Sequence, residues 1–367
     1  DTNPFLNTSE SVHFAQIAGT LFAVGDDTTG TASMGLVRTS QDNGTTWGTT
    51  NAPATIQPGV MAIFQDRVYL SKNSTNPSRL YFSNLPSGTT INWNIANSST
   101  TADQFVDIDP DSNDGNTALE NVGKELLVFK KRSLYTWVFG QTQADRVIGV
   151  GVLTQACVKT NFDLGLTFFA NEKGVYAYQT GTRPKLISRN IQRWIDAMVT
   201  ADLQLMVAEV DRDNYYLYIG DSITVDGRVY TNVMLVYNIP LKAWVVFLLG
   251  VAVRSMARMI TTDPIQSIYI GSSAGQMYQL FSGTLDGTAV VNGEILTKEY
   301  PLSYPYPVTL EYIDLISRNA ESAGVQYYLD RQRDPQQAGS ITSRFSSFRS
   351  GKECHTVQVR IVDSTNK

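Results

Sequence analysis

Hydrophobic and polar residues alternate with a period of two along most of the chain, and clusters of Gly, Asn, Asp, Ser and Pro interrupt the alternation. This pattern predicts many short, half-buried β-strands separated by turns. A helical period appears near Ser188, and we interpret it as a single connecting helix. Its apolar face would carry Ile187, Ile191, Trp194, Ile195 and Met198. The chain is therefore predicted to be all-β.

The strand pattern also repeats at long range. Each repeat has an apolar strand, a short polar turn and a second strand that carries an aromatic residue, and successive repeats are 41 to 58 residues apart. Such a period suits the four-stranded blades of a β-propeller, so we predict approximately six blades over residues 1–300. A pair of β-sandwiches is the alternative. The first strands are marked by Phe22, Tyr69, Leu127, Phe168, Leu217 and Tyr269.

The pattern of residues along the sequence changes after Tyr300. Residues 304–307 read Tyr-Pro-Tyr-Pro, which is typical of an extended linker. Alternating strands follow, and the last of them places Val357, Val359 and Ile361 on one face. We interpret residues 301–367 as a small C-terminal β-sandwich-like module.

A turn motif supports the propeller prediction. Ser40, Asp42, Gly44, Thr46 and Trp47 occupy every fixed position of the pattern S-x-D-x-G-x-T-W, directly after a predicted strand. The motif resembles the Asp-box, the hairpin turn of sialidase-like and related propellers. Ser and Asp oxygens can accept from turn amides, Gly permits a positive φ, and Trp would be buried between strands. A degenerate copy contains Ser83, Asn84, Gly88, Thr90 and Trp93.

Composition narrows the classes of function. The net charge is −5 and only 17% of residues are charged, which argues against a dedicated nucleic-acid binder. The two cysteines, Cys157 and Cys354, are too few for a disulfide framework or a zinc site and are expected to be buried thiols. The longest apolar run has eleven residues, short of the ~20 that cross a bilayer. We therefore expect no membrane span and no cofactor.

Three segments suggest a chemical or binding role, and each also has a simpler interpretation. The acidic segment 107–115 misplaces the glycine of a calcium loop, which favours a solvated turn. Residues 271–275 match G-x-S-x-G, but they join two strands and are interpreted as a hairpin turn. Residues 130–132, Lys-Lys-Arg, suggest a solvated turn, with a partner-binding patch as the alternative. No catalytic or metal-binding residue is predicted.

A family resemblance rests on residues 114–119 and on the hairpin 123–135. The hairpin residues that carry it are Gly123, Phe129, Lys130, Ser133 and Tyr135. The segment resembles the propeller proteins of short-tailed bacteriophages, in which an acidic-glycine turn leads into a strand close to G-x-L-x-V-F-K-x-x-S-x-Y. Weaker matches lie at residues 79–84, 174–178 and 235–244.

The resemblance implies a structural virion protein without enzymatic activity, the tail hub or nozzle, also called the packaged-DNA stabilisation protein. In that family several copies, usually six, form a ring below the portal and its adaptor. The ring retains the genome and later conducts it. The implied partners are further copies of the chain in a hexamer, adaptor or portal-proximal proteins, tail-tip or fibre proteins, and DNA in transient, non-specific passage. The alternatives are a sialidase-like carbohydrate-binding or glycoside-cleaving propeller and a cellular interaction scaffold.

Overall fold

The computed structural model describes residues 11–26, 37–53, 56–73, 75–93, 104–112, 114–141, 144–260, 266–282, 285–286, 289–290, 293–316, 323–332, 334–343 and 345–363. The chain divides into two compact units, Asp1–Leu280 and Phe281–Lys367. This division falls before the boundary at residue 300 that the sequence suggested. Both units are built from antiparallel strands, so the prediction of an all-β chain is confirmed.

The described residues of the first unit form six antiparallel sheets, each made of strands that are consecutive in the chain. The first three sheets lie in its N-terminal half. The first sheet contains β1 (Ser11–Ile17), β2 (Thr20–Asp26) and β3 (Arg38–Ser40). The second contains β4 (Val60–Phe64), β5 (Arg67–Ser71), β6 (Arg79–Phe82) and β7 (Phe105–Asp107). The third contains β8 (Asn116–Val122), β9 (Glu125–Lys130), β10 (Ser133–Trp137) and β11 (Asp145–Ile148).

The other three sheets continue the same arrangement. The fourth contains β12 (Lys159–Asn161), β13 (Leu166–Asn171), β14 (Gly174–Gln179) and β15 (Lys185–Leu186). The fifth contains β16 (Val207–Val210), β17 (Asn214–Val225), β18 (Arg228–Asn238) and β19 (Ala243–Leu248). The sixth contains β20 (Val253–Ile260), β21 (Gln266–Ser272) and β22 (Met277–Gln279). Each of the six repeat markers of the sequence lies in the second strand of one of these sheets.

The first strands of the six sheets contact one another in chain order, from β1 through β4, β8, β12 and β16 to β20. Apolar clusters fill the spaces between neighbouring sheets. Strand β9 shows why its sequence is continuously apolar: Leu127 and Phe129 enter one cluster, while Leu126 and Val128 enter another. Because side chains alternate across a strand, both faces of this strand are buried.

Short helices occupy the connections. They are the 3₁₀ turns η1 (Pro110–Ser112), η2 (Gln155–Cys157) and η3 (Arg189–Ile191), and the helices α1 (Gln192–Asp196) and α2 (Thr200–Leu205). The helix predicted near Ser188 is present, with Ile191, Trp194 and Ile195 buried. The prediction of a single helix is wrong, because α1 ends at Asp196 and a second helix, α2, follows.

The described part of the second unit contains two larger sheets and a short hairpin, β23 (Leu285–Asp286) with β24 (Ala289–Val290). A cluster that includes Ile313, Phe348, Val325 and Val357 joins the two larger sheets. One sheet pairs β27 (Val308–Ile316) with β30 (Phe345–Cys354). The other contains β25 (Gly293–Leu296), β26 (Tyr300–Pro301), β28 (Gly324–Leu329), β29 (Gln336–Ser340) and β31 (Thr356–Asp363).

Candidate functional site

The box motif forms a closed turn directly after β3. Ser40 Oγ accepts a hydrogen bond from Gly44 N at 2.8 Å and donates to Asp42 Oδ1 at 2.6 Å. Thr46 N donates to Asp42 Oδ1 at 2.8 Å, and Thr46 Oγ1 donates to Oδ2 at 2.6 Å. Gly44 has a φ of 87°, which glycine adopts without strain. The polar residues of the motif therefore form hydrogen bonds within the turn itself.

These bonds also fix the charge of the turn. The hydroxyl of Ser40, then the hydroxyl and amide of Thr46, lower the pKa of Asp42 to about 2. Asp42 lies at the surface and is therefore ionised at any physiological pH.

The position of Trp47 corrects the expectation that it is buried between strands. Trp47 is only half-buried, because its ring lies over Gly44 at the surface of the first sheet. The ring of Phe14 lies beside it, with ring centroids 6.1 Å apart, and Phe14 is itself 57% exposed. The indole thus covers the turn rather than filling the core.

The degenerate copy makes a different turn. Ser87 and Thr90 pair through their backbones, without a carboxylate at the centre. Asn51 joins this turn to the first sheet: its Nδ2 donates to Thr89 O at 2.8 Å, and its backbone carbonyl accepts from Trp93 Nε1 at 2.8 Å. The second copy therefore anchors the second sheet to the first.

The residues of the family hairpin fall into two groups. Gly123, with a φ of 58°, makes the turn between β8 and β9. Phe129 is fully buried and packs edge-on against Phe169 of the fourth sheet, with centroids 5.0 Å apart. Lys130, Ser133 and Tyr135 lie at the other end of the hairpin and form a polar cluster.

Lys130 is the centre of that cluster and is completely buried. Its Nζ donates to Ser112 Oγ at 2.7 Å, to Asp109 O at 2.9 Å and to Ser78 Oγ at 3.1 Å. Burial lowers the pKa of Lys130, while the charges of Asp109 and Asp114 act in the opposite direction. The interpretation of residues 130–132 as a solvated turn is therefore wrong for Lys130, although Lys131 and Arg132 are exposed.

Asp109 connects Lys130 to the rest of the hairpin. Its carboxylate accepts a hydrogen bond from Tyr135 Oη and lies 3.5 Å from Arg146 Nη1. Arg146 Nη2 in turn donates to Ser133 Oγ at 3.3 Å. Burial, followed by the bond to Asp109, raises the pKa of Tyr135 to about 12. The acidic segment is thus bound by side chains of the third sheet, and not simply solvated.

The described residues contain no group of three His, Cys, Asp or Glu side chains that could hold a metal ion. Both cysteines are buried, and burial raises the pKa of Cys157 to about 11. Residues 271–275 form a hairpin turn between β21 and β22, with Gly275 N bonded to Ser272 O. None of the described helices is long and apolar enough to span a membrane.

Sequence reasoning missed a row of polar contacts along the first strands. Glu120 lies on β8, Thr160 and Lys159 lie on the neighbouring β12, and Lys159 Nζ lies 3.4 Å from Glu209 Oε2 on β16. Burial first, and then the charge of Glu209, raise the pKa of Glu120 to about 7, while Thr160 and Lys159 oppose the shift. No local motif marks these residues, because each partner lies on a different sheet.

The turn η2 lies among the same first strands. Gln155 Nε2 donates to Met61 O on β4 at 2.7 Å, and Ala156 packs against the cluster shared by the fifth and sixth sheets. The turn also contacts β8 and β16. The turn η2 therefore packs against the first strands of several sheets.

No protein-family model matches the sequence, and no curated protein is significantly similar to it. Solved structures with a similar course of the chain include a glycoside hydrolase, with 10% identity, coverage of 97% of this chain and 94% of that one, and a TM-score of 0.32. Two structures of BBS1N in complex with ARL6DN, soaked with lead or mercury, also have 10% identity. They cover 99% and 100% of this chain and 95% of their own, with TM-scores of 0.45 and 0.46. At these scores the likeness carries no conclusion about function.

Proposed function

We propose that the first unit is a six-bladed β-propeller and that the chain is a structural protein of a short phage tail, the hub or nozzle. The propeller is supported by the six consecutive sheets whose first strands contact one another in chain order. In this proposal the second unit is a two-layered, sandwich-like module. The protein resides in the virion and catalyses no reaction.

The observation that carries the tail function is the structural role of the family hairpin. Lys130 and Tyr135 bind the acidic segment before β8, which links the second and third sheets. Ser133 accepts a hydrogen bond from Arg146, which lies 3.5 Å from the carboxylate of Asp109 in that segment. The residues shared with the phage family thus hold sheets together and do not converge on a cleft. Residues that connect neighbouring sheets are expected in a structural subunit of an assembly.

The conduit for DNA in this proposal lies between copies of the chain and not along the axis of one propeller. Gln155 bonds to Met61 on β4, and Ala156 packs against the cluster shared by the fifth and sixth sheets, so this turn occupies part of the space between the first strands. Copies, six in number as in the family, would form a closed ring by head-to-tail contacts. They would bind adaptor or portal-proximal proteins on one side and tail-tip or fibre proteins on the other.

The acidic balance of the chain is compatible with such a conduit. A net charge of −5 disfavours tight binding of phosphates and favours sliding of DNA past the protein. Contacts with DNA would then be transient and independent of sequence.

The sialidase-like enzyme is the weaker alternative. Such a site gathers several arginines around the carboxylate of its substrate. Here Arg79, Arg146 and Arg254 each pair with a different aspartate, on different sheets. These arginines stabilise separate elements, and we therefore do not propose glycoside cleavage.

Negative-stain electron microscopy of the concentrated protein tests the tail proposal. We expect end-on averages that show a rotationally symmetric ring with an open centre between subunits. Images of single, unassociated particles at every concentration, also with portal and adaptor complexes added, would contradict it.

A further inference from the structure

A surface cleft of about 260 Å³ lies against the box turn of the first sheet. One wall is the half-buried indole of Trp47. Four other lining residues are polar and exposed: Gln41, Asp42, Thr46 and Thr50. The cleft therefore combines one aromatic surface with several groups that form hydrogen bonds.

Phe14 enlarges the aromatic surface beside the cleft. Its ring is 57% exposed and its centroid lies 6.1 Å from that of Trp47, at an angle of 53°. Two aromatic rings on the surface of one three-stranded sheet present apolar area at small entropic cost. The bonds inside the box fix the turn that leads to Trp47 before any ligand binds.

The polar groups match a ligand rich in hydroxyls. Asp42 is an acceptor, and its Oδ2 takes one bond from Thr46 Oγ1 and has capacity for a second. Gln41 and Thr50 can each donate and accept. A sugar ring has the complementary surface, since one of its faces presents C–H groups and its edge presents hydroxyls.

Charge restricts the class of sugar. Asp42 keeps its negative charge because hydrogen bonds from Ser40 and Thr46 lower its pKa. The described residues that line the cleft include no lysine or arginine. An anionic sugar would meet repulsion without a counter-charge, whereas a neutral sugar meets none.

We propose that this cleft binds a neutral glycan, with one sugar ring stacked on Trp47 beside Phe14 and its hydroxyls bonded to Asp42, Gln41 and Thr50. The site is separate from the polar cluster of Lys130 and does not depend on ring assembly. It would let the protein contact a polysaccharide surface without cleaving it.

Saturation-transfer NMR with the full chain tests this proposal, using chitotriose and maltotriose as neutral probes and 3′-sialyllactose as the anionic probe. We expect transfer to at least one neutral trisaccharide and markedly less to sialyllactose. Trp47→Leu should weaken that binding about tenfold or more, and Phe14→Ala about fivefold. Gln41→Ala, at an exposed position, gives a second test if Trp47→Leu folds poorly.

Tyr306→Ala is the matched control, because Tyr306 is an aromatic residue 78% exposed in the second unit. It should leave the binding unchanged. Absence of transfer to both neutral probes at about 5 mM, stronger binding of sialyllactose, or equal binding by all variants would overturn the proposal. Ring formation is measured separately, so a protein that forms rings without binding these sugars would overturn this proposal alone.

Discussion

At the residue scale, the ammonium group of Lys130 organises the acidic segment between the second and third sheets. It is fully buried and donates to three oxygens, two of which, Asp109 O and Ser112 Oγ, belong to that segment. A buried charge of this kind is tolerated only when each of its protons has an acceptor. Residues 130–132 thus combine one internal cation with two exposed ones.

This arrangement predicts unequal effects for two neighbouring substitutions. Lys130→Met should lower the free energy of unfolding by about 2–4 kcal/mol, because Ser78, Ser112 and the carbonyl of Asp109 lose a buried donor. Lys131→Met is the control, since Lys131 is exposed. Urea denaturation of both variants measures the difference. Equal stability of the two variants would show that the Lys130 contacts contribute nothing.

Substitution of Trp47 and of Trp137, two tryptophans that differ in burial, should also have different effects. Trp47→Ala should cost about 2 kcal/mol, because its ring is only half-buried. Trp137 is 2% exposed, packs on Tyr69 and donates to Gln141 O. Trp137→Ala should therefore cost about 3–5 kcal/mol. Thermal unfolding ranks the two variants, and a larger loss for Trp47→Ala would contradict the observed burial.

Glu120 should make stability depend on pH. Its pKa is about 7 in the folded protein and 4.5 as its ordinary value, so the folded state binds an extra proton between these values. The free energy of unfolding should therefore fall as the pH rises from about 5 to about 7. Because Glu120 is only partly shielded from solvent, we expect a loss of about 1–2 kcal/mol.

Glu120→Gln tests this dependence. The variant should match the unmodified protein at pH 5 and exceed its stability at pH 8, as measured by urea denaturation at both values. Comparing the two proteins cancels the contributions of other titrating groups. Parallel pH profiles would show that Glu120 titrates normally.

At the element scale, the sequence predicted the strands well and their contacts poorly. Period-two alternation is a local property, so markers such as Tyr69 and Phe168 do fall on strands. They lie on the second strand of each sheet and not on the first, because the sequence repeat did not reveal the strand that precedes each marker. The helix α2 escaped notice because its six residues bury only Leu203. A pattern of that length has no visible period.

The errors at the candidate sites have a similar physical origin. Lys130 lies in a Lys-Lys-Arg run that resembles any solvated turn, and its partners are 18 to 52 residues away. The half-buried state of Trp47 depends on what covers it, which the motif does not encode. Glu120, Lys159 and Glu209 meet only because successive first strands are neighbours.

At the scale of the whole molecule, the described part of the first unit contains six consecutive antiparallel sheets, and the second unit is compact in itself. In the proposed function, the conduit for DNA forms by association of several copies, because the turn that contains Gln155 and Ala156 lies among the first strands of one copy. A closed ring requires two different complementary surfaces on each copy, repeated around the axis. The proposed conduit thus depends on how many copies associate.

The mass of the protein in solution, measured by light scattering over a range of concentrations, tests whether six copies form a closed ring. One chain has a mass of 40.5 kDa, so a ring of six copies predicts about 243 kDa. The mass should reach that value and stay there as concentration rises, because a closed ring leaves no free surface for further copies. A mass of 40.5 kDa throughout, also with portal and adaptor complexes present, would contradict the proposed conduit.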